Sequence, residues 1–572
     1  MVAINVIKSE LDRILPQDIP TEELDQYLAF CKAELEAVEG EELKIDIKTS
    51  ARPDLWSMEG LVREMRGILE EKPPALPELH LEPSGYVVEV DPGLKEVRPF
   101  IACAVVRGIE LNDDSIRSFM QTSEKIDVSY GRKRKRTSIG IYNLEGLSNK
   151  IYYRLQPASR TFIPLGWLEP ISLAEILEKH EKGKEYGYIL GKADSYPLLD
   201  DEDGHVLSMP PIINSNDVGR VTEETREALV EVTGSSYEAV NHVLNILVFN
   251  LQDHGVKVES VLIQYPNEIH DGVEVSTPDL ETYPIKTQLS DINSYLGMKF
   301  STKQVQELLQ RRRIRTEKTK GGVIAYPPPY RKEMLHWVDV TEEVAIAYGY
   351  NNFEPTQWNV VSAGGLTPQT ESEYIVRQIL IGAGYTEVLG KTLLAKEVLT
   401  AGARLPDRDF VEVANPISAN YATLRDILTP YLLLVLSQNT HVEYPQAIFE
   451  VGEVCRVEGG TSKSPEKATI LTQTNLALAY SAARASFEQV HTVLEILSTT
   501  LRFDYELKAT DNPMFLEGRA GQIIVGGTTV GLIGEVHPET LNYWKIGMPV
   551  VVMELELRYI PTISCVPFKT FL

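Results

Sequence analysis

Three consecutive prolines at 327–329 are the feature that most restricts how this chain folds. Proline has no backbone N–H to donate and holds φ at about −65°, so the run predicts an extended segment rather than a helix. The next helix therefore begins later. Asp339 is a good N-cap, Glu342 stands at capping-box spacing from it, and Gly349 suits a left-handed C-terminal cap. The sequence predicts a helix over 339–349.

The acidic residues around this helix start support two interpretations. Asp339, Glu342 and Glu343 either cap the helix, or they converge as oxygen ligands for a hard cation such as Mg²⁺. The residues alone leave both open.

Length and charge limit the classes of protein that fit. A chain of 572 residues is too long for one domain and predicts about three to five. The hydrophobic fraction of 43% and charged fraction of 24% are ordinary for a globular protein. The formal net charge of −26 argues against a general nucleic-acid coat. An acidic chain still binds RNA through a local basic patch or through a partner subunit.

The cysteines and the N-terminus predict a cytoplasmic protein. Cys31, Cys103, Cys455 and Cys565 form no CxxC pair, so the sequence indicates neither a zinc site nor a disulfide framework. The first residues lack an apolar signal core, and no run approaches the roughly 18 apolar residues of a membrane helix. We expect no membrane partner.

Although the chain is acidic, its sequence contains two clusters of basic residues. A helix predicted over 114–130 leads into the run Arg132, Lys133, Arg134, Lys135 and Arg136. Such a run is either a solvated surface or a loop that contacts RNA phosphates. The arginines at 311–313 and Arg315 likewise either contact RNA or form a local salt-bridged surface.

Residues 162–234 combine predicted strands with a few polar side chains. Ser208 precedes a diproline at 210–211, and Glu231 and Thr233 follow on a later strand. These groups either line a compact pocket with a polar end or belong to a sheet interior whose hydroxyls bond to backbone. Elsewhere the pattern predicts helices over 21–38, 58–69 and 372–383, strands near 387 and over 410–413 and 447–454, and a local pair between Arg52 and Asp54.

Three segments identify a family. The segments 346–355 (IAYGYNNFEP), 208–215 (SMPPIINS) and 533–538 (IGEVHP) resemble the archaeal and eukaryotic type of phenylalanine–tRNA ligase β subunit. The resemblance covers nearly the whole chain in the family's module order. It implies an α+β multidomain protein: an N-terminal α/β module (1–85), a B3/B4-like editing domain (86–272), a small B5-like helical and winged module with the carboxylate cluster (273–355), and a class II synthetase catalytic-like B6/B7 domain with an antiparallel sheet (356–572).

The resemblance also implies site residues. The editing pocket would be formed by Leu199, Ser208, Glu231 and Thr233. Magnesium would be held near the interface with the α subunit by Glu333, Asp339, Glu342 and Glu343. This chain would carry no residue that catalyses aminoacylation, because residues 449–452 (FEVG) provide no arginine to clamp ATP phosphates. Glu535 and His537 then belong to a strand-turn corner rather than a catalytic dyad.

The function implied is that of an aminoacyl-tRNA synthetase subunit in an α2β2 complex. The α subunit would attach phenylalanine to its tRNA using ATP, and this chain would hydrolyse tyrosine wrongly attached to that tRNA, with no DNA partner. Glu231, Glu333 and Glu343 stand where the family pattern has Asp. The alternative is therefore a non-catalytic paralogue that acts as a binding or assembly module.

Overall fold

The computed structural model describes residues 2–71, 73, 79–357, 364–458 and 468–560. The chain divides into two compact units, Met1–Gln357 and Trp358–Leu572. Cys565 lies outside the described residues. No helix in the described ranges is long and apolar enough to cross a membrane. The protein is a mixed α/β multidomain chain, and the finer boundaries at 85, 272 and 355 stay predictions.

The first unit begins with a small sheet covered by helices. Strand Glu42–Ile47 lies between Val2–Ile7 and Ala33–Glu39, and the helices are Lys8–Ile14, Thr21–Leu28 and Met58–Leu69. The helix predicted over 58–69 is confirmed. The helix predicted over 21–38 is wrong in its second half. Lys32 adopts a left-handed φ of 56°, and the alternating residues 33–39 pair with the next strand.

A ten-stranded sheet forms the centre of this unit. Its strands, in order from one edge, are Ile213–Asn214, Val206–Met209, Ser195–Asp201, Lys150–Pro157, Glu82–Val90, Lys257–Gln264, Phe100–Arg107, Glu227–Gly234 and Thr137–Asn143, with Glu274–Thr277 added beside Lys257–Gln264. Helix Tyr237–Gln252 packs on Phe100–Arg107 and Glu227–Gly234, and helix Asp113–Val128 contacts Thr137–Asn143. Smaller elements are Thr161–Phe162, Ile171–Ser172, Leu173–Lys179 and Glu181–Tyr186.

Alternation along strand Glu227–Gly234 separates two cores. Val230 and Val232 pack with Val240 of helix Tyr237–Gln252. Leu229 points to the opposite side, into a core that contains Tyr142. Because side chains alternate along a strand, Glu231 and Thr233 share the side of Leu229.

The last part of the first unit is a small winged module. It pairs strand Gly322–Tyr326 with Ile285–Gln288 and Arg315–Lys318, and its helices are Leu289–Leu296, Thr302–Arg311 and Trp337–Tyr348. Gly349 ends the last helix, as predicted, but its φ of 91° and ψ of 120° lie outside the left-handed helical region that the prediction named. The predicted N-cap is wrong. His336 is the N-cap, and Asp339 is the reciprocal capping-box residue three positions later.

The second unit contains a largely antiparallel seven-stranded sheet. The strand order is Thr386–Glu387, Gln446–Glu458, Thr469–Ser481, Val550–Glu556, Thr528–Val536, Phe515–Val525 and Glu506–Ala509. The helices are Pro368–Gly382, Lys396–Leu399, Thr429–Gln438, Phe487–Leu501 and Pro538–Trp544, and a small pair of strands joins Leu393–Leu394 to Thr423–Leu424. The strand predicted over 410–413 is wrong: this segment forms one isolated β-bridge, between Glu412 and Thr423.

A buried ion network connects the winged module to the N-terminal one. Arg312 is 1% exposed and lies 2.7 Å from Glu64 and 2.5 Å from Glu343. Its guanidinium also stacks on the Phe30 ring at 4.4 Å. The prediction of a local salt-bridged surface is therefore wrong for Arg312, which is buried and pairs with carboxylates of two distant segments.

Arg52 extends the same network. It lies 2.7 Å from Asp54 and 2.8 Å from Glu64, which confirms the predicted local Arg52–Asp54 pair and adds a second carboxylate. Burial lowers the pKa of Arg52, but the facing carboxylates outweigh burial and raise it well above its ordinary value. The network is therefore charged and buried, and each member depends on its partners.

Removing one cation from this network should be strongly destabilising. Arg312→Met leaves Glu64 and Glu343 buried with one fewer partner, which costs about 3–5 kcal/mol. Arg315→Met is the matched control, because Arg315 belongs to the same arginine run but forms a half-exposed pair with Glu317. That change should cost under about 1 kcal/mol. Urea denaturation measures both, and equal losses would contradict the network's importance.

Candidate functional site

The structure brings the four predicted editing-pocket residues to one region of the ten-stranded sheet. Leu199 pairs directly with Ser208 across two antiparallel strands. Glu231 pairs with Gly140 on the edge strand, and Thr233 follows two residues later on the same side. All four predicted residues are at most 2% exposed. The site is thus an enclosed polar cluster within a hydrophobic core.

A tyrosine hydroxyl lies at the centre of this cluster. The Oη atom of Tyr142 is 2.7 Å from Oε2 of Glu231 and 2.8 Å from Oγ of Ser208. A phenol has one proton, so Oη of Tyr142 donates it to one of these two acceptors at a time. Ser208 therefore bonds to a side chain, contrary to the interpretation in which the hydroxyls of this sheet bond only to backbone.

Burial changes the acid–base properties of both partners. Desolvation raises the pKa of Glu231 to about 7, and the Tyr142 and Arg98 interactions limit that rise. Burial, followed by the Glu231 charge, raises the pKa of Tyr142 well above its ordinary value. Oε1 of Glu231 has no hydrogen-bond partner among the described residues. The carboxyl group therefore keeps capacity for one more donor.

Arg98 and Tyr142 are site residues that sequence reasoning missed. Arg98 is 2% exposed and donates from Nε to Oγ1 of Thr233 over 2.9 Å, and from Nη2 to the Thr233 carbonyl over 2.7 Å. Its Nη2 also donates to Ser138 over 3.0 Å. An isolated arginine before Pro99 carries no pattern that points to a site. Tyr142 looked like an ordinary core residue of a strand.

The basic run forms a tight left-handed turn beside this cluster. Arg132, Lys133 and Arg134 have φ values of 52°, 53° and 64°. Arg134 is held by Asp127 at 3.2 Å and donates to the Pro211 and Ile212 carbonyls.

The remaining cations of the run divide into two kinds. Lys135 and Arg136 lie over the rings of Tyr188 and Tyr130 at 5.2 and 4.4 Å. Arg132 and Lys133 are exposed. The turn therefore presents its first two cations to solvent and uses the other three, at least in part, for local contacts.

The four predicted magnesium ligands do not converge on one point, and two of them, Glu333 and Glu343, share Arg331 as a partner. Glu343 lies between Arg312 and Arg331, at 2.5 and 2.8 Å, and Glu333 lies 2.6 Å from Arg331. Burial raises the pKa of Glu343, but the two arginines outweigh burial and lower it well below its ordinary value.

The other two predicted ligands are also engaged elsewhere. Asp339 accepts from the backbone N–H groups of Leu335 and His336, and Glu342 pairs with Lys32 at 2.8 Å on the surface. Among the described residues, the only group of carboxylates and imidazoles close enough to hold a metal is Asp201, Asp203 and His205. The arrangement does not fit a four-carboxylate Mg²⁺ site within this chain, and magnesium binding stays a prediction.

In the second unit, an arginine reaches the strand where the sequence predicted none. Arg425 lies 2.7 Å from Glu450, and both side chains are nearly fully buried. The pair fixes Arg425 inside the sheet, where it cannot clamp a phosphate. His537 is the N-cap of helix Pro538–Trp544, and Glu535 pairs with Arg519 at 2.9 Å, which fits a structural corner.

The raised pKa of Glu231 predicts how stability depends on pH. The folded state keeps a proton on this carboxyl up to about pH 7, whereas the unfolded chain releases it near its ordinary value of 4.5. Stability of the first unit therefore falls as pH rises through this interval. In Glu231→Gln, the decrease in the free energy of unfolding over this pH interval should be smaller than in the parent by on the order of 3 kcal/mol. Urea midpoints at about pH 5 and pH 8 measure it. A variant that differs from the parent by the same amount at both values would refute this assignment.

The comparisons with known proteins cover nearly the whole chain. Residues 356–557 match the family model described as "Phenylalanyl tRNA synthetase beta chain CLM domain", and residues 285–350 match "tRNA synthetase B5 domain". The chain is similar to the phenylalanine–tRNA ligase beta subunit of Pyrococcus horikoshii, with 38% identity over 98% of this chain and 99% of that one. The protein of the same name from Archaeoglobus fulgidus is 35% identical over 97% of this chain and 98% of that one.

A solved structure gives the same result for the first part of the chain. The crystal structure of an N-terminal fragment of the phenylalanyl-tRNA synthetase beta subunit from Pyrococcus horikoshii aligns with a TM-score of 0.58 and 37% identity. The alignment covers 61% of this chain and all of that fragment. Identity and coverage at this level show common descent. The chain belongs to the phenylalanine–tRNA ligase beta subunit family.

Proposed function

We propose that this chain is the β subunit of a phenylalanine–tRNA ligase and supports ATP-dependent attachment of phenylalanine to its tRNA by an α subunit in an α2β2 complex. The observation that carries the proposal is the match over 98% of the chain to relatives with that name. The likeness extends over every described module rather than over a single shared domain.

The second unit supports a role as a scaffold rather than as the site of aminoacylation. A class II synthetase needs arginines free to hold ATP phosphates on its antiparallel sheet. Arg425 forms an ion pair with Glu450, and Arg456 forms one with Glu556. Glu554 accepts from both the Thr429 backbone and hydroxyl. These charges are satisfied internally, which favours catalysis on the partner subunit.

A second activity, hydrolysis of tyrosine wrongly attached to the tRNA, is favoured by the polar cluster of the first unit. A pocket shaped for phenylalanine rejects an added hydroxyl only weakly, so a separate site must recognise that hydroxyl. Glu231 and Ser208 converge on a phenolic hydroxyl, that of Tyr142. Because Ser208 bonds to this phenol rather than to a base, a positioned water fits the hydrolytic step better than a covalent serine mechanism.

Reconstitution tests both activities. The purified chain is mixed with an α subunit from the same organism, and phenylalanine charging and deacylation of tyrosine-charged tRNA are followed. We expect a stable complex that charges phenylalanine, and a large loss of deacylation in Glu231→Ala with charging unchanged.

The negative outcomes differ in meaning. A chain that forms no complex would contradict the subunit proposal and favour a paralogue that serves as a binding or assembly module. A complex that charges phenylalanine and leaves tyrosine-charged tRNA intact would contradict the editing proposal alone.

The left-handed turn is proposed to contact tRNA phosphates through Arg132 and Lys133. Replacing each by Gln should reduce the slope of log K against log salt by about one unit per lost phosphate contact. Lys303→Gln is the matched control, because Lys303 is an exposed cation of the first unit that pairs with Glu307. Filter binding over a salt series measures the slope. An unchanged slope in the two turn variants would contradict a phosphate contact.

A further inference from the structure

The Glu231–Ser208 pair already holds the chemical group that an editing site would have to recognise. The Oη atom of Tyr142 lies 2.7 Å from Oε2 of Glu231 and 2.8 Å from Oγ of Ser208, and it donates its proton to either acceptor. A phenylalanine side chain could make neither bond. The two hydrogen bonds are therefore the contacts that distinguish tyrosine from phenylalanine, and they are made here by a residue of the chain itself.

The ring that carries this hydroxyl also closes the site. Tyr142 is 0% exposed and packs in the same core as Leu199. Glu231 and Ser208 are each 2% exposed. No incoming side chain reaches the two polar groups while the Tyr142 ring stays in place, because protein cores are close-packed.

Gly140 makes this arrangement sterically possible. It pairs with Glu231 across the strands and precedes Tyr142 by two residues, on the same side of the sheet. A Cβ atom at position 140 would lie 2.1 Å from Oη of Tyr142 and 2.5 Å from Oε2 of Glu231. The missing side chain leaves the space in which hydroxyl and carboxyl meet.

We propose that Tyr142 is an internal competitor for the phenol-recognition site, a specificity-determining residue that must leave Glu231 and Ser208 before the tyrosine of a mischarged tRNA binds there. The proposal rests on the editing function proposed above. The ligand class is a 4-alkylphenol, the side chain of tyrosine. Tyr142 thus sets how strongly the site discriminates, since only a ligand that replaces both hydrogen bonds displaces it.

The direct test is binding of small aromatic probes to the full chain. Tyr142→Ala should create a cavity that binds p-cresol at least about tenfold more tightly than toluene, because Glu231 and Ser208 regain a hydroxyl partner. The parent chain should show no such preference. Calorimetry or a thermal shift measures the ratio. A Tyr142→Ala chain that folds but binds p-cresol no better than toluene would overturn the proposal.

A second variant keeps the ring and covers the case in which Tyr142→Ala fails to fold. Tyr142→Phe fills the same volume and loses both hydrogen bonds, so the ring should leave more easily. In the reconstituted complex, kcat/KM for deacylation of tyrosine-charged tRNA should rise about tenfold. Tyr265→Phe is the matched control: Tyr265 lies in the same core, and its hydroxyl bonds to the Ile101 backbone. Its deacylation rate should equal that of the parent chain.

The outcomes separate this proposal from the editing function. Slower deacylation in Tyr142→Phe than in the parent would make Tyr142 part of the hydrolytic machinery and overturn its role as a competitor. A different result is that no variant deacylates tyrosine-charged tRNA but Tyr142→Ala binds p-cresol selectively. That result would contradict the editing function and support the proposal that Tyr142 occupies a phenol-binding site.

Discussion

The first unit depends on a buried cluster of arginines and carboxylates contributed by segments far apart in sequence. Arg312 joins Glu64 of the N-terminal module to Glu343 of the winged module, and Arg331 lies against Glu343 and Glu333. Charges removed from water are stable only while every partner stays in place. The two modules are therefore joined by a network in which the loss of one partner is strongly destabilising.

The same principle explains the polar cluster of the ten-stranded sheet. Glu231 and Thr233 are buried where an unpaired polar group is costly, and Tyr142 donates to one oxygen of Glu231 while Arg98 donates to Thr233. Strand alternation places them together with Ser208 on one side of the sheet, away from helix Tyr237–Gln252. A site that recognises a hydroxyl needs such enclosure, and in this structure the Tyr142 side chain fills it.

Local sequence signals predicted local features well. Helix Met58–Leu69, the Gly349 cap and the Arg52–Asp54 pair follow from periodicity, glycine chemistry and short spacing. Long-range pairing was not accessible in this way. Residues 33–38, which the sequence pattern assigned to a helix, instead form a hairpin with the strand that ends at residue 47. Arg425 forms an ion pair with Glu450, which lies 25 positions later in the chain. For the same reason the predicted metal ligands proved to be distributed among arginines, a lysine and a helix cap.

We propose that Glu231 and Ser208 recognise a phenolic hydroxyl and that Tyr142 occupies their site in the free chain. A crystal structure of the complex with a non-hydrolysable tyrosyl-adenosine analogue tests it most directly. We expect the ligand hydroxyl to bond to Glu231 and Ser208, with the Tyr142 ring rotated away from both. A bound ligand with the Tyr142–Glu231 hydrogen bond intact would contradict it.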